Sequence, residues 1–107
     1  MQQAQDFIAK NKERFKEELF DLLRIPSISA DPKYKDDVLR CAEAVAQSLR
    51  DAGCDKVEML PTSHVKNGEQ KEGYPIIYGE KRVGDNVPTV LVYGHYAVQP
   101  ADPLNLW

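Results

Sequence analysis

The residues best suited to chemistry stand near the end of the chain. Val90–Tyr93 is an unbroken apolar run, followed by Gly94, His95 and a polar loop, Tyr-Ala-Val-Gln-Pro-Ala-Asp-Pro. An imidazole delivered by the tip of a strand has three uses open to it. Neutral, it is the commonest protein metal ligand; near pH 7 it is a general base; or it bonds a loop carbonyl and does nothing more. In open α/β sheets, ligands bind beyond the carboxyl ends of the strands, which is where His95 falls. Gly94 lets the backbone turn there.

The neighbouring candidates are few. Asp102 lies seven residues on, between prolines, and reads as a loop-fixing carboxylate. His64 sits in a polar stretch and reads as a solvent-exposed side chain. The two cysteines, Cys41 and Cys54, make no Cys-x-x-Cys and read as reduced structural thiols. No H-E-x-x-H, G-x-S-x-G, G-x-G-x-x-G or P-loop occurs. A catalytic zinc typically takes three protein ligands, so one histidine does not complete a site.

The elements that must position His95 can be read from periodicity. Residues 4–24 predict an amphipathic helix, with Ile8, Phe15, Leu19, Leu22 and Leu23 on one face. Pro26 ends it by disfavouring helical geometry at Ile25. Asp31 before Pro32 predicts the start of a second helix, with Asp36 and Asp37 at its positive end. Val38, Ala42, Val45 and Leu49 line that helix, which runs to about Ala52, and Gly53 stops it. Residues 55–61 and 74–81 predict half-buried strands, and 62–73 a mobile polar loop. The run at 89–95 predicts a strand buried on both faces. The expected fold class is α/β: two helices packed on a three-stranded mixed sheet, as an incomplete part of a larger catalytic domain.

The bulk numbers set limits. A chain of 107 residues holds one small domain, here 1–107. A net charge of −3 with both signs interspersed argues against nucleic acid. No apolar stretch is long enough to span a membrane, and the N-terminus lacks a signal-peptide pattern, so a cytoplasmic protein is expected. A central strand arriving last leaves an unpaired edge, and such edges invite pairing with another chain. Self-association through that edge, or a partner covering it, is therefore expected.

The segment "VLVYGHYAVQPADPLNLW" closely resembles the first metal-binding motif of the M20 metallopeptidases, and within them the carnosinase-like dipeptidase branch. That motif reads as a strand, Gly-His-Tyr-Asp-Val-Gln-Pro, and a loop ending in tryptophan. "LLRIPSIS" and "AEAVAQSLRDAG" are similar to the family's first two helical segments. The resemblance implies an α/β zinc-peptidase domain with two zinc ions bridged by a hydroxide, a dipeptide or short-peptide substrate, a glutamate that moves the proton, and a homodimer. It implies that His95 is a metal ligand.

Two departures qualify what is implied. Ala97 stands where the family has an aspartate that orients the ligand histidine. Losing such a group changes affinity or activity by roughly 10–100-fold, and an alanine side chain accepts no hydrogen bond. The family's remaining ligands and its glutamate lie beyond the tryptophan, so the ending at Trp107 reads as a truncation. The expectation is an inactive piece of a metal-dependent dipeptidase. The alternative is a non-catalytic binding or scaffold module that reuses the fold.

Overall fold

The computed structural model describes residues 1–106; Trp107, where the sequence places a truncation, lies outside them. Helix α1 covers Gln2–Leu23 and helix α2 covers Lys35–Asp51. Four strands follow: β1 (Lys56–Leu60), β2 (Ser63–Lys66), β3 (Glu69–Glu72) and β4 (Ile76–Glu80). Short 3-10 turns occupy Pro32–Tyr34 and Leu104–Leu106.

α2 is the organising element, and its ends are set by local chemistry. The Asp31 carboxylate accepts the Lys33 N–H at 3.0 Å, and Pro32 opens the 3-10 turn that leads into the helix. Asp36 and Asp37 then complement the positive helix end. At the far end the Cys54 N–H reaches the Leu49 carbonyl (3.1 Å) and the Gly53 N–H reaches Arg50 (2.9 Å). This is a Schellman closure, and it needs the positive φ of +86° that Gly53 supplies. The buried side chains of the helix are Val38, Cys41, Ala42 and Ala46. They form one stripe, with Val45 and Leu49 half-buried beside it.

β1 and β4 pair antiparallel, with Val57 opposite Gly79 and Met59 opposite Ile77. α2 packs on this pair. Gly79 allows the approach: a Cβ there would lie 2.9 Å from Leu49 Cδ1 and 3.3 Å from Cys54 Sγ. Just before β1, Asp55 ties the sheet end to the segment that follows β4. Its carboxylate accepts the Arg82 N–H at 2.8 Å and the Lys81 ammonium at 3.1 Å.

α1 contributes differently. It has no fully buried residue. Phe15 and Leu22 are half-buried, and Ile25 continues their line just past the helix end, whereas Ile8, Leu19 and Leu23 of the predicted stripe are exposed. The radius of gyration is 17.2 Å, against about 13 Å for a compact chain of this length.

Three expectations are corrected. Residues 62–73 are not a loop: β2 and β3 form an antiparallel hairpin joined at Asn67–Gly68. Both turn residues have positive φ, +53° and +77°, the geometry in which an Asn-Gly pair closes a two-residue hairpin. The sheet is not three-stranded and mixed. It is two separate two-stranded antiparallel sheets, β1–β4 and β2–β3. The run at 89–95 is not a buried strand. It carries no strand assignment, and Val90, Leu91, Val92 and Tyr93 are all more than four-fifths exposed. A strand forms only where a neighbour accepts its ladder bonds, and among the described residues none lies alongside this one. The α/β class itself holds.

Candidate metal-ligand segment

His95 follows the exposed run and is itself exposed. Its ring is turned back on its own backbone. The Ala97 N–H donates to Nδ1 at 3.2 Å, and the Ala97 carbonyl oxygen lies 3.3 Å from the same nitrogen. Either neutral tautomer therefore finds a main-chain partner. An unprotonated Nδ1 accepts from the Ala97 N–H; a protonated Nδ1 donates to the Ala97 carbonyl and leaves Nε2 free as an acceptor. Both contacts come from the main chain of Ala97, whose methyl side chain has no polar atom to add.

What holds the segment in place lies immediately after the histidine. The Tyr96 carbonyl accepts two bonds, from Ser27 Oγ at 3.0 Å and from Cys41 Sγ at 3.3 Å. The Val98 N–H donates to the Ser27 carbonyl at 3.1 Å. The Tyr96 hydroxyl donates to the Pro75 carbonyl at 2.7 Å, just before β4. Ser27 is fully buried, and its hydroxyl is satisfied by this one bond. Burial pushes the Tyr96 phenol above its ordinary pKa, with the Cys41 and Tyr74 groups adding to the effect.

The backbone of the Ile-Pro-Ser-Ile turn explains why Ser27 is available. The Ser27 N–H bonds the Ile25 carbonyl at 2.7 Å and the Ile28 N–H bonds Pro26 at 2.8 Å. These tight local turns consume the turn's own donors. The Ser27 carbonyl and hydroxyl are left facing residues 96–98. Sequence reading treats this stretch as a helix terminus and misses the contact, because a bond spanning 69 residues leaves no periodic trace.

The other candidates do not converge on His95. His64 is exposed on β2. Asp102 is exposed in the loop before Pro103. Cys54 is half-buried against Gly79, and both cysteines are free thiols. A shallow groove of about 350 Å³ opens beside the segment, lined by Ile28, Asp31, Tyr34, Pro100 and Leu104 among others, but His95 is not part of it. Among the described residues, no three His, Cys, Asp or Glu side chains are grouped to hold a metal ion. One imidazole alone does not fit a catalytic metal, which asks for three protein ligands. No helix among the described residues is long and apolar enough to cross a membrane.

Comparison with known proteins places the segment in context. No protein-family model matches the chain. The Cys-Gly metallodipeptidase dug1 of Schizosaccharomyces pombe is 29% identical over 102 residues, covering 95% of this chain and 21% of that protein. The Cys-Gly metallodipeptidase DUG1 of Candida albicans is 31% identical over 99 residues, covering 90% of this chain and 20% of that protein. A solved structure of the di-peptidase Dug1p from Saccharomyces cerevisiae superposes with a TM-score of 0.82 at 27% identity, over 94% of this chain and 21% of that one. The chain thus spans about a fifth of the length of the curated relatives it matches. Sequence and fold agree: over about a fifth of their length, this chain is a homologue of the Cys-Gly metallodipeptidases.

Proposed function

We propose that residues 1–107 are one part of the catalytic domain of a metal-dependent dipeptidase. His95 supplies one ligand of a two-zinc centre whose other ligands this chain does not hold. The observation that carries the reading is the motif itself. A Gly-His-Tyr-x-Val-Gln-Pro stretch sits on a segment pinned to the rest of the fold at Tyr96, in a chain that superposes on a dipeptidase. In a complete site, zinc would polarise the scissile carbonyl and lower the pKa of a bound water. What this chain's residues contribute is the orientation of one imidazole. Because the described residues bring no further ligands to it, we assign the chain by itself no hydrolytic step and expect it to be inactive.

The names of the relatives make Cys-Gly the first substrate to try. The free Cys41 and Cys54 suit a reducing compartment such as the cytoplasm. The exposed Val90–Tyr93 run suits pairing with more of an M20 catalytic domain, or with a second copy of the chain, since an unpaired apolar edge recruits another strand. Homodimerisation of the complete enzyme follows from the family resemblance.

A second reading, a binding or scaffold module without catalysis, is favoured by one observation: Ala97 in place of the family's aspartate. The two readings separate by zinc calorimetry and Cys-Gly hydrolysis. Both are run on the 107-residue chain and on a longer chain in which it is joined to the rest of an M20 catalytic domain, each with and without Ala97→Asp. The enzyme reading expects no tight zinc binding by the short chain. It expects two zinc ions and turnover in the long chain carrying Ala97→Asp. A long chain with the aspartate restored that binds no zinc and cleaves no dipeptide would leave the scaffold reading.

A further inference from the structure

We infer that Ser27, Cys41 and Tyr96 form an anchor whose function is to set the orientation of the His95 imidazole, with Ser27 and Cys41 acting as positioning residues. The inference deepens the proposed role of His95 and rests on that reading only for what the imidazole is used for.

The argument starts from where the segment is held. From Lys81 to Tyr93 the chain is exposed and has no ladder partner among the described residues. Burial returns at residues 96–98, which are half-buried. Ser27 grips the backbone on both sides of residue 97: its hydroxyl donates to the Tyr96 carbonyl at 3.0 Å, and its carbonyl accepts the Val98 N–H at 3.1 Å. Cys41 approaches the same Tyr96 carbonyl from α2 at 3.3 Å. The Tyr96 side chain reaches the other way, to the Pro75 carbonyl at 2.7 Å. One residue is therefore tied to the turn after α1, to α2 and to the entrance of β4.

The consequence falls on His95 through residue 97. The imidazole meets the Ala97 N–H and carbonyl, so its ring is only as fixed as the backbone at 96–98. With the side-chain carboxylate of the family motif replaced by a methyl, this main-chain pairing is the one polar constraint the motif still places on the ring. Ser27 and Cys41 make no hydrogen bond to the imidazole. They act by holding the peptide that the ring is bonded to.

The test reads the ring directly and needs neither metal nor dipeptide. In ¹⁵N-labelled chain, long-range ¹H–¹⁵N spectra report the His95 ring nitrogens, with His64 on the far hairpin as an internal control. Amide exchange reports the Ala97 and Val98 N–H groups. Ser27→Ala removes a donor, Tyr96→Phe removes one hydroxyl and leaves the core unchanged, and Cys41→Ser keeps a donor in place of the thiol. Ser27→Ala and Tyr96→Phe are expected to speed Val98 exchange roughly three- to tenfold, the factor for about one net hydrogen bond. Both should move the His95 Nδ1 signal toward that of a free imidazole, with His64 unmoved and Cys41→Ser like the parent. If Ser27→Ala does not fold, Tyr96→Phe decides alone. Unchanged His95 ring signals and unchanged Ala97 and Val98 exchange in the folded variants overturn the inference, even if stability falls, since that result marks the contacts as packing only. A failed zinc or dipeptide assay leaves these signals untouched, so the two proposals fail separately.

Discussion

The fate of the Val90–Tyr93 run yields the sharpest test of the fold, through Leu91→Lys. Leu91 is 90% exposed. Fully burying a leucine side chain is worth about 1.5–3 kcal/mol, so the tenth that is buried here contributes about 0.2–0.3 kcal/mol. Replacing it by lysine should change the unfolding free energy by less than about 0.5 kcal/mol, as for any surface site. A central strand gives the opposite expectation. There the ammonium would enter a core without a partner, and the cost of burying an uncompensated charge is several kcal/mol. Urea unfolding followed by far-UV circular dichroism, with the chain dilute enough to be monomeric, distinguishes the two. An unchanged midpoint and slope are expected. The same variant should weaken concentration-dependent association in sedimentation velocity, because a lysine on an edge opposes strand pairing. A loss of more than about 2 kcal/mol in the dilute chain would refute the exposed placement and return the segment to a packed strand.

Further outcomes follow from the core and from charge. Val38→Ala removes two buried methyl groups from the apolar stripe of α2; about 1.5–2.5 kcal/mol should be lost, seen in the urea midpoint as a shift without a change of slope. The Arg82 N–H and the Lys81 ammonium hold the Asp55 carboxyl below its ordinary pKa. Its contribution is therefore present above the unfolded value, near about 3.9, and lost as pH falls through the folded one; acid titration of Asp55→Asn should show a flatter limb in that window. Burial holds the Tyr96 phenol above its ordinary pKa, so its contribution is present below about pH 10 and lost as pH rises through the raised value. The Glu80 carboxylate raises Tyr78 in the same window. Alkaline unfolding of Tyr78→Phe alone and of Tyr78→Phe/Tyr96→Phe separates the two, and the double variant should have the flatter limb.

What could be read from the sequence follows how local the physics is. α2 is legible in the sequence, because Gly53 at its end and Asp31 and Pro32 at the 3-10 turn leading into it act within a turn of themselves. β1 is legible from its alternation, and β4 from the apolar Tyr-Pro-Ile-Ile-Tyr stretch. The hairpin was missed because Lys66, Glu69, Lys71 and Glu72 make 62–73 look like solvent loop. The one decisive signal was the Asn67–Gly68 pair, whose backbone freedom outweighs the polar composition. Residues 89–95 depart from the expected buried strand for a different reason. An apolar run records a need for burial, while pairing depends on what lies alongside, and that is not a property of the run. The anchor at Tyr96 was invisible because its acceptors are main-chain carbonyls and its donors, Ser27 and Cys41, sit in segments with other evident duties.

The thin attachment of α1 has a thermodynamic consequence. A helix of 22 residues with no fully buried side chain is held to the rest by one half-buried stripe, and in proteins most helical stability comes from packing of such a face rather than from propensity. Its local opening should therefore cost less free energy than unfolding of the α2–β1–β4 unit. The helical signal should fall before the tertiary signal of Tyr74, Tyr78 and Tyr96. The first amides to lose protection against exchange with solvent should be those of Gln2–Leu19, while Val38–Ala46 hold to the end. The cooperative folding unit of this protein begins near Leu22, not at its first residue.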